Sequence, residues 1–346
     1  DWSSDVCSSD LSRLVQAAMA ADYSLAIGAW RAAANGAGLE FVLIEGQPLS
    51  LDPQGSPTWF AFTPPQVLHT MPLDSSPMTT GMAWSAGGDL VVGYGASWFA
   101  SLPNRRWSST AEYRCAVRRY GGPWLDTLVD REEVVGVDPT VAVLGQGAGL
   151  RIFYGYEARD GVRLATSSDA GVTFAAPITV GMPGDHLPTV LARDVAGATK
   201  VDLLYLGYRD QGVELHAARW ADWPTSPRAD LRLTVARTET TIPPQVPGSP
   251  FPWYPFAMKT TQVSWLGYDA VLDGDVVVAA YDEVTLDNVM LCLGAPLGVG
   301  DRGLGGAMPT GGFQASEPPP LAPGLTQPVR SVNPADAHQL VLLRLR

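Results

Sequence analysis

Asp138-Pro139-Thr140-Val141-Ala142-Val143 begins a pattern that returns 49 residues later as Leu187-Pro188-Thr189-Val190-Leu191-Ala192. In both copies a glycine-containing turn follows, and then an apolar run that ends at a tyrosine, Tyr156 in the first copy and Tyr208 in the second. Short runs of β-branched and aromatic residues that are bounded by Gly, Asp and Pro are typical of β-strands. The repeat therefore predicts a chain built from similar units of several short strands each.

Two weaker copies fit the same frame, one ending at Tyr94 and the other at Tyr281. A period of about 50 residues with several short strands matches one four-stranded blade of a β-propeller. We place units near 77–136, 138–184, 187–240 and 262–300, with a further blade around 39–44 and 58–62. The strand at 338–345 is expected to pair with N-terminal strands and so remove an open sheet edge. The predicted fold class is all-β, a β-propeller of five or six four-stranded blades.

We make separate structural predictions for the segments that lie outside these repeat units. Residues 1–11 are rich in Ser and Asp and unlike the rest of the chain, so we expect a non-native or disordered tail. Residues 12–37 are rich in alanine and predict either a helix that ends near Gly36 or a linker. The propeller is expected to span 38–346, with long Pro/Gly-rich surface loops at 241–255 and 300–329.

The sharpest motif is Ser167-Ser168-Asp169-Ala170-Gly171-Val172-Thr173-Phe174. It matches S-x-D-x-G-x-T-[F/W], the Asp box, and through it the sequence resembles the sialidase-like, BNR-repeat β-propellers. Gly171 permits a turn at positive φ, and the Asp169 carboxylate can accept backbone N–H bonds across that turn. Ser167 begins the motif, Thr173 can bond within the turn, and Phe174 can anchor the hairpin to the blade core. An ordinary Asp/Gly hairpin turn would explain the same residues locally.

The resemblance implies a structural role for the Asp box. In that family it joins the third and fourth strands of a blade, on the face away from the pocket. Catalytic sialidases also carry an Arg-Ile-Pro motif, which this chain lacks, since its nearest string is Arg151-Ile152-Phe153. Residues 219–223 occupy the place of a second box without its pattern. The resemblance therefore implies the fold and a link to glycans, and it leaves sialidase activity open.

Propeller geometry predicts where a site would lie. If the Pro-Thr-Val strand is innermost and the Tyr-ending strand is second, the loop entering the first and the loop leaving the second share one face. The candidate catalytic residues on that face are Asp138, Glu157 and Asp185. The candidate ligand-binding residues are Tyr156, Arg159, His186, Tyr208, Arg209, Asp282, Trp98 and Arg105. Because carboxylates bond hydroxyls, aromatic rings stack on sugars and arginine forks bind sugar carboxylates, the predicted partner is a carbohydrate or glycoconjugate.

Bulk composition narrows the classes of function. The net charge of −12 repels phosphate backbones and anionic lipid, which argues against nucleic acid and membrane surfaces as partners. No apolar run reaches the ~18 residues of a membrane span. The three cysteines lack metal-ligand spacing and no nucleotide-binding motif occurs, so neither a metal nor a cofactor is expected. Oligomeric state and compartment stay open, with an extracellular or cell-surface location favoured if the native N terminus is missing.

Three functions are compatible with these features. The first is a glycoside hydrolase of sialidase-like form, or a five-bladed relative of the arabinanase/xylosidase type that uses three carboxylates from different blades. The second is a non-catalytic carbohydrate-binding or adhesion propeller of the cell-surface or phage-tail type, and the third is a structural propeller with a protein partner. Two carboxylates about 5–10 Å apart, or arginines beside a tyrosine–glutamate pair, would favour hydrolysis. A pocket filled by apolar side chains, or a flat aromatic patch, would favour binding.

Overall fold

The computed structural model describes residues 11–34, 36, 38–72, 75–101, 107–120, 122–132, 139–209, 212–241, 253–293 and 337–345. Across these ranges the regular structure is strand, apart from one 3-10 turn at Gly147–Gly149. Within the same ranges, no helix is long and apolar enough to cross a membrane. Residues 1–10 of the predicted N-terminal tail, residues 242–252 of the predicted loop at 241–255 and all of that at 300–329 lie outside the described residues. The described ends of these segments are strand rather than tail or loop: Leu11 begins the strand Leu11–Met19, Thr241 ends Arg237–Thr241, and residues 253–255 begin Trp253–Asp273.

The strands form consecutive sheets in chain order. The first sheet contains β1 (Leu11–Met19), β2 (Leu25–Ala32), β3 (Leu39–Leu51), β4 (Pro57–Phe62) and β5 (Gln66–Met71). The second contains β6 (Ser76–Pro77), β7 (Gly81–Trp84), β8 (Leu90–Ser101), β9 (Trp107–Arg118) and β10 (Trp124–Glu132). The short β6 and β7 both pair with β8, so they act as one interrupted strand at the edge of a four-stranded sheet.

The later sheets have four strands each, paired in chain order. The third contains β11 (Thr140–Leu144), β12 (Arg151–Ala158), β13 (Gly161–Ser167) and β14 (Ile178–Val180). The fourth contains β15 (His186–Val195), β16 (Ala198–Arg209), β17 (Gly212–Trp220) and β18 (Arg228–Arg232). The fifth contains β19 (Arg237–Thr241), β20 (Trp253–Asp273), β21 (Val276–Leu293) and β22 (Ala337–Leu345).

These five sheets in the described part of the chain confirm the predicted all-β fold class, with consecutive antiparallel sheets of the four-stranded kind that is typical of propeller blades. The predicted units at 77–136 and 138–184 cover nearly all of the second sheet and all of the third, whereas the unit at 187–240 covers nearly all of the fourth sheet and also most of β19, the first strand of the fifth. Tyr94 and Tyr156 both lie on the second strand of their sheets and both are fully buried. The sequence repeat therefore identifies equivalent strands of neighbouring blades.

The chain separates into two compact units, residues 1–205 with 218–229, and residues 206–217 with 230–346. In the first unit, apolar side chains of consecutive sheets pack against each other. Trp30 and Phe41 of the first sheet contact Tyr94 of the second, with the Phe41 and Tyr94 rings stacked at a centroid distance of 4.3 Å. Tyr113 of the second sheet packs on Tyr156 of the third at 4.7 Å.

The second unit has its own buried residues on the strands of the fifth sheet. Val263, Val277, Ala279 and Val284 are each less than 5% exposed. Gln262 contributes a polar contact to this interior, because its side-chain oxygen accepts a hydrogen bond from the Val213 backbone N–H at 3.1 Å. The unit is therefore held by apolar burial and by at least one side-chain-to-backbone bond.

The predicted helix over 12–36 is wrong, because the described residues of this segment form β1 and β2. All eight residues of β2 pair with β3, and Ala26, Ala29 and Trp30 on it are almost fully buried. Alanine has the highest helix propensity, but the preference is less than about 1 kcal/mol per residue, so strand pairing and burial against a neighbouring sheet outweigh it.

The expectation for the last strand is also corrected. β22 pairs with residues 277–285 of β21, as the fourth strand of its own sheet, and not with N-terminal strands. The fifth sheet begins at Arg237 rather than near 262, and this places Tyr281 on the third strand of its sheet. Tyr281 is therefore not equivalent to Tyr94 and Tyr156. This copy of the repeat had no opening proline, and the missing residue was the signal of a shifted frame.

Candidate functional site

The turn between β13 and β14 holds the Asp-box residues in a hydrogen-bond network centred on Asp169. Asp169 Oδ1 accepts hydrogen bonds from the Thr173 backbone N–H at 3.0 Å and from Ser167 Oγ at 2.7 Å. Thr173 Oγ1 donates to Asp169 Oδ2 at 2.6 Å, and the Gly171 N–H donates to Ser167 Oγ at 2.9 Å. These hydrogen bonds lower the pKa of Asp169 to about 2, and the bond from the Thr173 hydroxyl has the largest effect. The carboxylate of Asp169 is therefore ionised at neutral pH, and its hydrogen bonds stabilise the β13–β14 turn.

The same turn also contacts the second sheet. Gly171 has a φ of +85°, and a Cβ on it would lie 2.6 Å from Val117 Cγ2. Its carbonyl oxygen accepts a hydrogen bond from Thr127 Oγ1 at 2.7 Å. Phe174 packs against the buried cluster between the second and third sheets, with its ring 6.1 Å from that of Tyr154. These contacts give the Asp-box turn a role in packing one sheet on the next.

Asp222 has a comparable role in the turn that follows the third strand of the fourth sheet. Its Oδ1 accepts a hydrogen bond from the Thr199 N–H at 3.3 Å, and its Oδ2 accepts one from Thr225 Oγ1 at 2.7 Å. Ser226 Oγ accepts from the Asp222 N–H at 2.9 Å. The aspartate therefore still organises this turn even though the surrounding sequence lacks the box pattern.

Of the three candidate catalytic carboxylates, Asp138 lies outside the described residues. Asp185 is only 1% exposed, and its Oδ2 accepts a hydrogen bond from the Met182 N–H at 2.9 Å. This carboxylate packs over Gly181, where it braces the turn between β14 and β15. Glu157 lies near the end of β12, half-buried, and its carbonyl oxygen accepts a hydrogen bond from Tyr113 Oη at 2.7 Å. The hydrogen bond that the structure gives Asp185 therefore stabilises a turn.

The candidate ligand-binding residues of the first unit fall into two groups. Tyr156 is fully buried and Trp98 packs partly buried against the core between the first and second sheets. Arg159 is exposed in the β12–β13 turn, while His186 is half-buried, with Nδ1 3.3 Å from the Gly184 carbonyl oxygen. Of these four residues, Tyr156 alone is closed to solvent.

The remaining candidates lie in the second unit or outside the described residues. Tyr208 and Arg209 are half-buried at the end of β16, where Arg209 Nη1 donates to the Tyr208 carbonyl oxygen at 2.9 Å. Asp282 is half-buried on β21, opposite Leu340 of β22. Arg105 falls in a range that the structure does not describe. These residues stay predicted ligand contacts.

A charged group that the sequence did not single out surrounds Arg163 on β13. Its Nη1 lies 3.0 Å from Asp130 Oδ2 and contacts Glu132 Oε1, and its Nη2 lies 3.1 Å from Asp160 Oδ1. Tyr156 is the cross-strand neighbour of Arg163, and its Oη donates to Asp130 Oδ2 at 2.5 Å. We call these five residues the Arg163 cluster. Because Asp130 and Glu132 end β10 while Arg163 lies on β13, the cluster bridges the second and third sheets.

The electrostatics of the Arg163 cluster are acidic overall, because three carboxylates face one guanidinium. Burial raises the pKa of Glu132 above its ordinary value; the charge of Arg163 opposes this shift and that of Asp130 adds to it. Burial also raises the pKa of Tyr156, together with its hydrogen bond to Asp130. The side chain of Asp160 is 51% exposed, against 12% for Glu132. Asp160 is therefore the member of the cluster that faces solvent most.

A related arrangement occurs within the second sheet. Tyr94 is the cross-strand neighbour of Arg114, and its Oη donates to Asp126 Oδ1 at 2.7 Å. Arg114 Nε donates to Asp126 Oδ2 at 2.9 Å. Burial acts to raise the pKa of Asp126, but hydrogen bonds from His69, Arg114 and Tyr94 lower it overall. Tyrosine, arginine and aspartate thus occur together in both places, although Asp126 belongs to the same sheet as Tyr94, whereas Asp130 belongs to the sheet before that of Tyr156.

Other acidic side chains are buried with cationic partners. Asp202 is fully buried between Arg193 Nη1 at 2.6 Å and Arg219 Nε at 2.5 Å. In the second unit, the fully buried Glu214 contacts Arg232, and its Oε1 accepts a hydrogen bond from a backbone N–H at 3.0 Å. A buried charge needs such partners to be tolerated, so these pairs support the fold and do not form an open site.

Sequence reasoning missed Asp130 and Glu132 because it looked only at the loops that enter the first strand and leave the second. The end of a fourth strand lies on that same face in an antiparallel sheet, and Asp130-Arg131-Glu132 is a charged run at such an end. This run was the available signal. No group of three or more His, Cys, Asp or Glu residues suited to hold a metal occurs in the described part of the chain.

Comparison with known proteins gives a likeness to a solved structure and no match to a family model or to a curated protein. Among solved structures the chain is similar to an alpha-L-arabinanase of Penicillium chrysogenum complexed with arabinobiose, at 9% sequence identity and a TM-score of 0.42. The match covers 79% of this chain and 88% of that chain. A likeness at this identity and TM-score carries no argument about substrate or about the roles of residues.

Proposed function

We propose that this protein is a glycan-directed β-propeller that binds a hydroxyl-rich sugar at the Arg163 cluster. The observation that carries the proposal is the half-exposed Asp160 beside two further carboxylates held by Arg163. Carboxylate oxygens accept hydrogen bonds from hydroxyl groups, and charge-assisted bonds of this kind are among the strongest that a sugar makes. The cluster lies near the start of β13, at the opposite end of that strand from the structural Asp-box turn.

Charge favours a sugar without carboxylate groups. Recognition of an acidic sugar needs an arginine fork that can turn toward the ligand. The Arg163 guanidinium is already bonded to three carboxylates, and the chain as a whole carries a net charge of −12. An acidic sugar would be repelled both by the cluster and by the overall charge. We therefore expect neutral glycans rather than sialosides.

The test is binding to an array of neutral and acidic glycans by the wild-type protein and by Asp160→Asn. We expect the wild type to bind neutral glycans, and we expect the substitution to weaken binding about tenfold or more because it replaces a charged acceptor with a neutral one. Asp273→Asn is the matched control, since Asp273 is an exposed aspartate paired with Arg344 on the fifth sheet. Equal affinities of the wild type and Asp160→Asn would contradict this placement of the site.

Hydrolysis is the second candidate, and the raised pKa of Glu132 favours it. A carboxyl group with a raised pKa holds its proton to a higher pH than an ordinary glutamate, which suits it to protonate a leaving sugar, while an ionised carboxylate nearby acts as base or nucleophile. Glu132 would be the acid and Asp160 the base. Tyr156 is not proposed as a sialidase-like nucleophile, because it is fully buried and donates its hydrogen bond to Asp130.

A screen of the purified protein against chromogenic pentosides and sialosides separates the two candidates. If the protein is a hydrolase of this kind, Glu132→Gln lowers turnover by about 10²–10⁴-fold, and the basic limb of the pH–rate profile, which reports deprotonation of the general acid, is lost from the residual activity. The carboxylates proposed from the sequence, Asp138, Glu157 and Asp185, are changed to the corresponding amides in parallel. Turnover that survives Glu132→Gln but not these changes would transfer the catalytic role to them. Binding without turnover of any substrate would favour the non-catalytic propeller.

A further inference from the structure

The hairpin formed by β3 and β4 extends past the rest of the first sheet. β2 pairs with β3 only as far as Gly46, and β5 pairs with β3 over Leu39–Leu43. Beyond Gly46, β3 has β4 as its strand partner, and within the described residues β4 is an outer strand with β3 as its neighbour. We call residues 46–62 the β3–β4 hairpin. Its outer strand presents a backbone edge of the kind that can accept a further strand.

Large apolar side chains on the β3–β4 hairpin are exposed. Trp59 is 73% exposed, Leu49 68% and Leu51 53%. Phe60 and Phe62 lie half-buried beside each other, with ring centroids 5.9 Å apart. Single exposed apolar residues are ordinary, but several on one short element mark an interaction surface.

The β3–β4 hairpin is also nearly free of charge. Asp52, at its tip, is the only charged residue in residues 46–62, whereas the whole chain carries a net charge of −12. Edge strands that stay unpaired usually carry an inward-pointing charge such as lysine, a proline or a bulge. β4 (PTWFAF) has no charge, and its one proline, Pro57, is its first residue, so residues 58–62 keep their backbone N–H groups. The register of β4 against β3 is regular from Phe60 to Phe62, which leaves this end of the strand suited to pairing.

We propose that β4 pairs with β4 of a second copy of this chain, antiparallel across a two-fold axis, so that Trp59, Leu49 and Leu51 of both copies are covered together. A two-fold contact presents the same surface on both sides, so an apolar strand automatically meets an apolar partner. Two copies that both carry a large negative charge repel each other over most of their surfaces. The electrostatic repulsion is smallest where they approach through the nearly uncharged β3–β4 hairpin. Strand addition supplies backbone hydrogen bonds as well as side-chain burial. This proposal does not depend on glycan binding.

Sedimentation velocity of the purified protein over a range of concentrations tests this dimer. We expect a species of twice the chain mass whose population grows with concentration. Trp59→Ser removes the largest exposed apolar group and Ala61→Lys places a charge on the pairing strand, so each variant is expected to weaken dimerisation about tenfold or more. Tyr120→Ser is the matched control, because Tyr120 is an equally exposed aromatic residue, at 80%, outside the hairpin.

Amide hydrogen exchange provides a readout specific to strand pairing. We expect the amides of residues 58–62 to exchange more slowly in the dimer than at concentrations where the protein is monomeric. A wild-type protein that stays monomeric at every concentration would overturn the proposal. So would a dimer that Trp59→Ser and Ala61→Lys leave intact, or one whose β4 amides exchange as in the monomer.

Discussion

Removal of one oxygen atom from Tyr156 tests how much the Arg163 cluster contributes to the packing of the second sheet on the third. In Tyr156→Phe the ring, which packs on Tyr113, is retained, and only the hydroxyl that donates to Asp130 Oδ2 at 2.5 Å is lost. A hydrogen bond to a charged group contributes about 1.5–3 kcal/mol, and Asp130 keeps its contact with Arg163. We therefore expect the free energy of unfolding to fall by about 2 kcal/mol.

Tyr154→Phe provides the matched control on the neighbouring ring. Tyr154 is also fully buried, and its Oη donates to neutral carbonyl oxygens, that of Arg114 at 3.1 Å and that of Tyr94 at 3.4 Å. Bonds between neutral groups contribute about 1 kcal/mol. The assay is urea unfolding followed by tryptophan fluorescence, with an unchanged m-value required of both variants. A loss for Tyr156→Phe that does not exceed the loss for Tyr154→Phe would refute a special contribution of the charged acceptor.

Three further stability predictions follow from single contacts. Asp169→Asn should lower the melting temperature at pH 7. Because the pKa of Asp169 in the folded state is depressed to about 2, the stability that its carboxylate contributes is full above the unfolded pKa of ~4 and is lost as the pH falls through about 2. The melting temperature of the variant should therefore depend less on pH between these values, and a pH dependence equal to that of the wild type would contradict the proposed role. Gly171→Ala should lower the free energy of unfolding in urea by about 2–3 kcal/mol, because the new Cβ clashes with Val117 and the backbone is left-handed at this position. Gly55 has the same φ of +85° but nothing within 4 Å of a Cβ, so Gly55→Ala should lower it by only about 1 kcal/mol, and equal losses would contradict the clash. Asp202→Asn should lower the free energy of unfolding in urea by about 3–5 kcal/mol, because Arg193 and Arg219 lose their buried carboxylate partner. Asp273→Asn, at an exposed aspartate, is the control, and an equally small loss for Asp202→Asn would show that the buried charge is not needed.

The blades could be predicted from the sequence because their strands repeat. The Pro-Thr-Val strand and the tyrosine-ending strand recur with turns of similar chemistry, and the resulting units follow the second and third sheets closely and the fourth except at its end, where the unit runs into β19 of the fifth sheet. The Asp-box turn could also be predicted, since its hydrogen bonds join residues that are close in sequence, such as Asp169 and Thr173. Local chemistry of this kind needs no knowledge of the neighbouring sheet.

The first sheet and the Arg163 cluster could not be predicted in the same way. The alanine-rich segment of β2 is a strand because Ala26 and Trp30 are buried against other sheets, which is a tertiary effect. Asp130 and Arg163 are 33 residues apart and belong to different sheets. Neither position has a local pattern that demands the other. Their contact depends on how one blade packs on the next, which short-range periodicity does not encode.

A crystal structure of the protein with a bound neutral oligosaccharide from the array tests the central claim most directly. The account predicts that sugar hydroxyl groups lie within hydrogen-bond distance of Asp160, beside Glu132 and Arg163. A sugar bound instead around Asp169, at the far end of β13, would contradict the placement of the site.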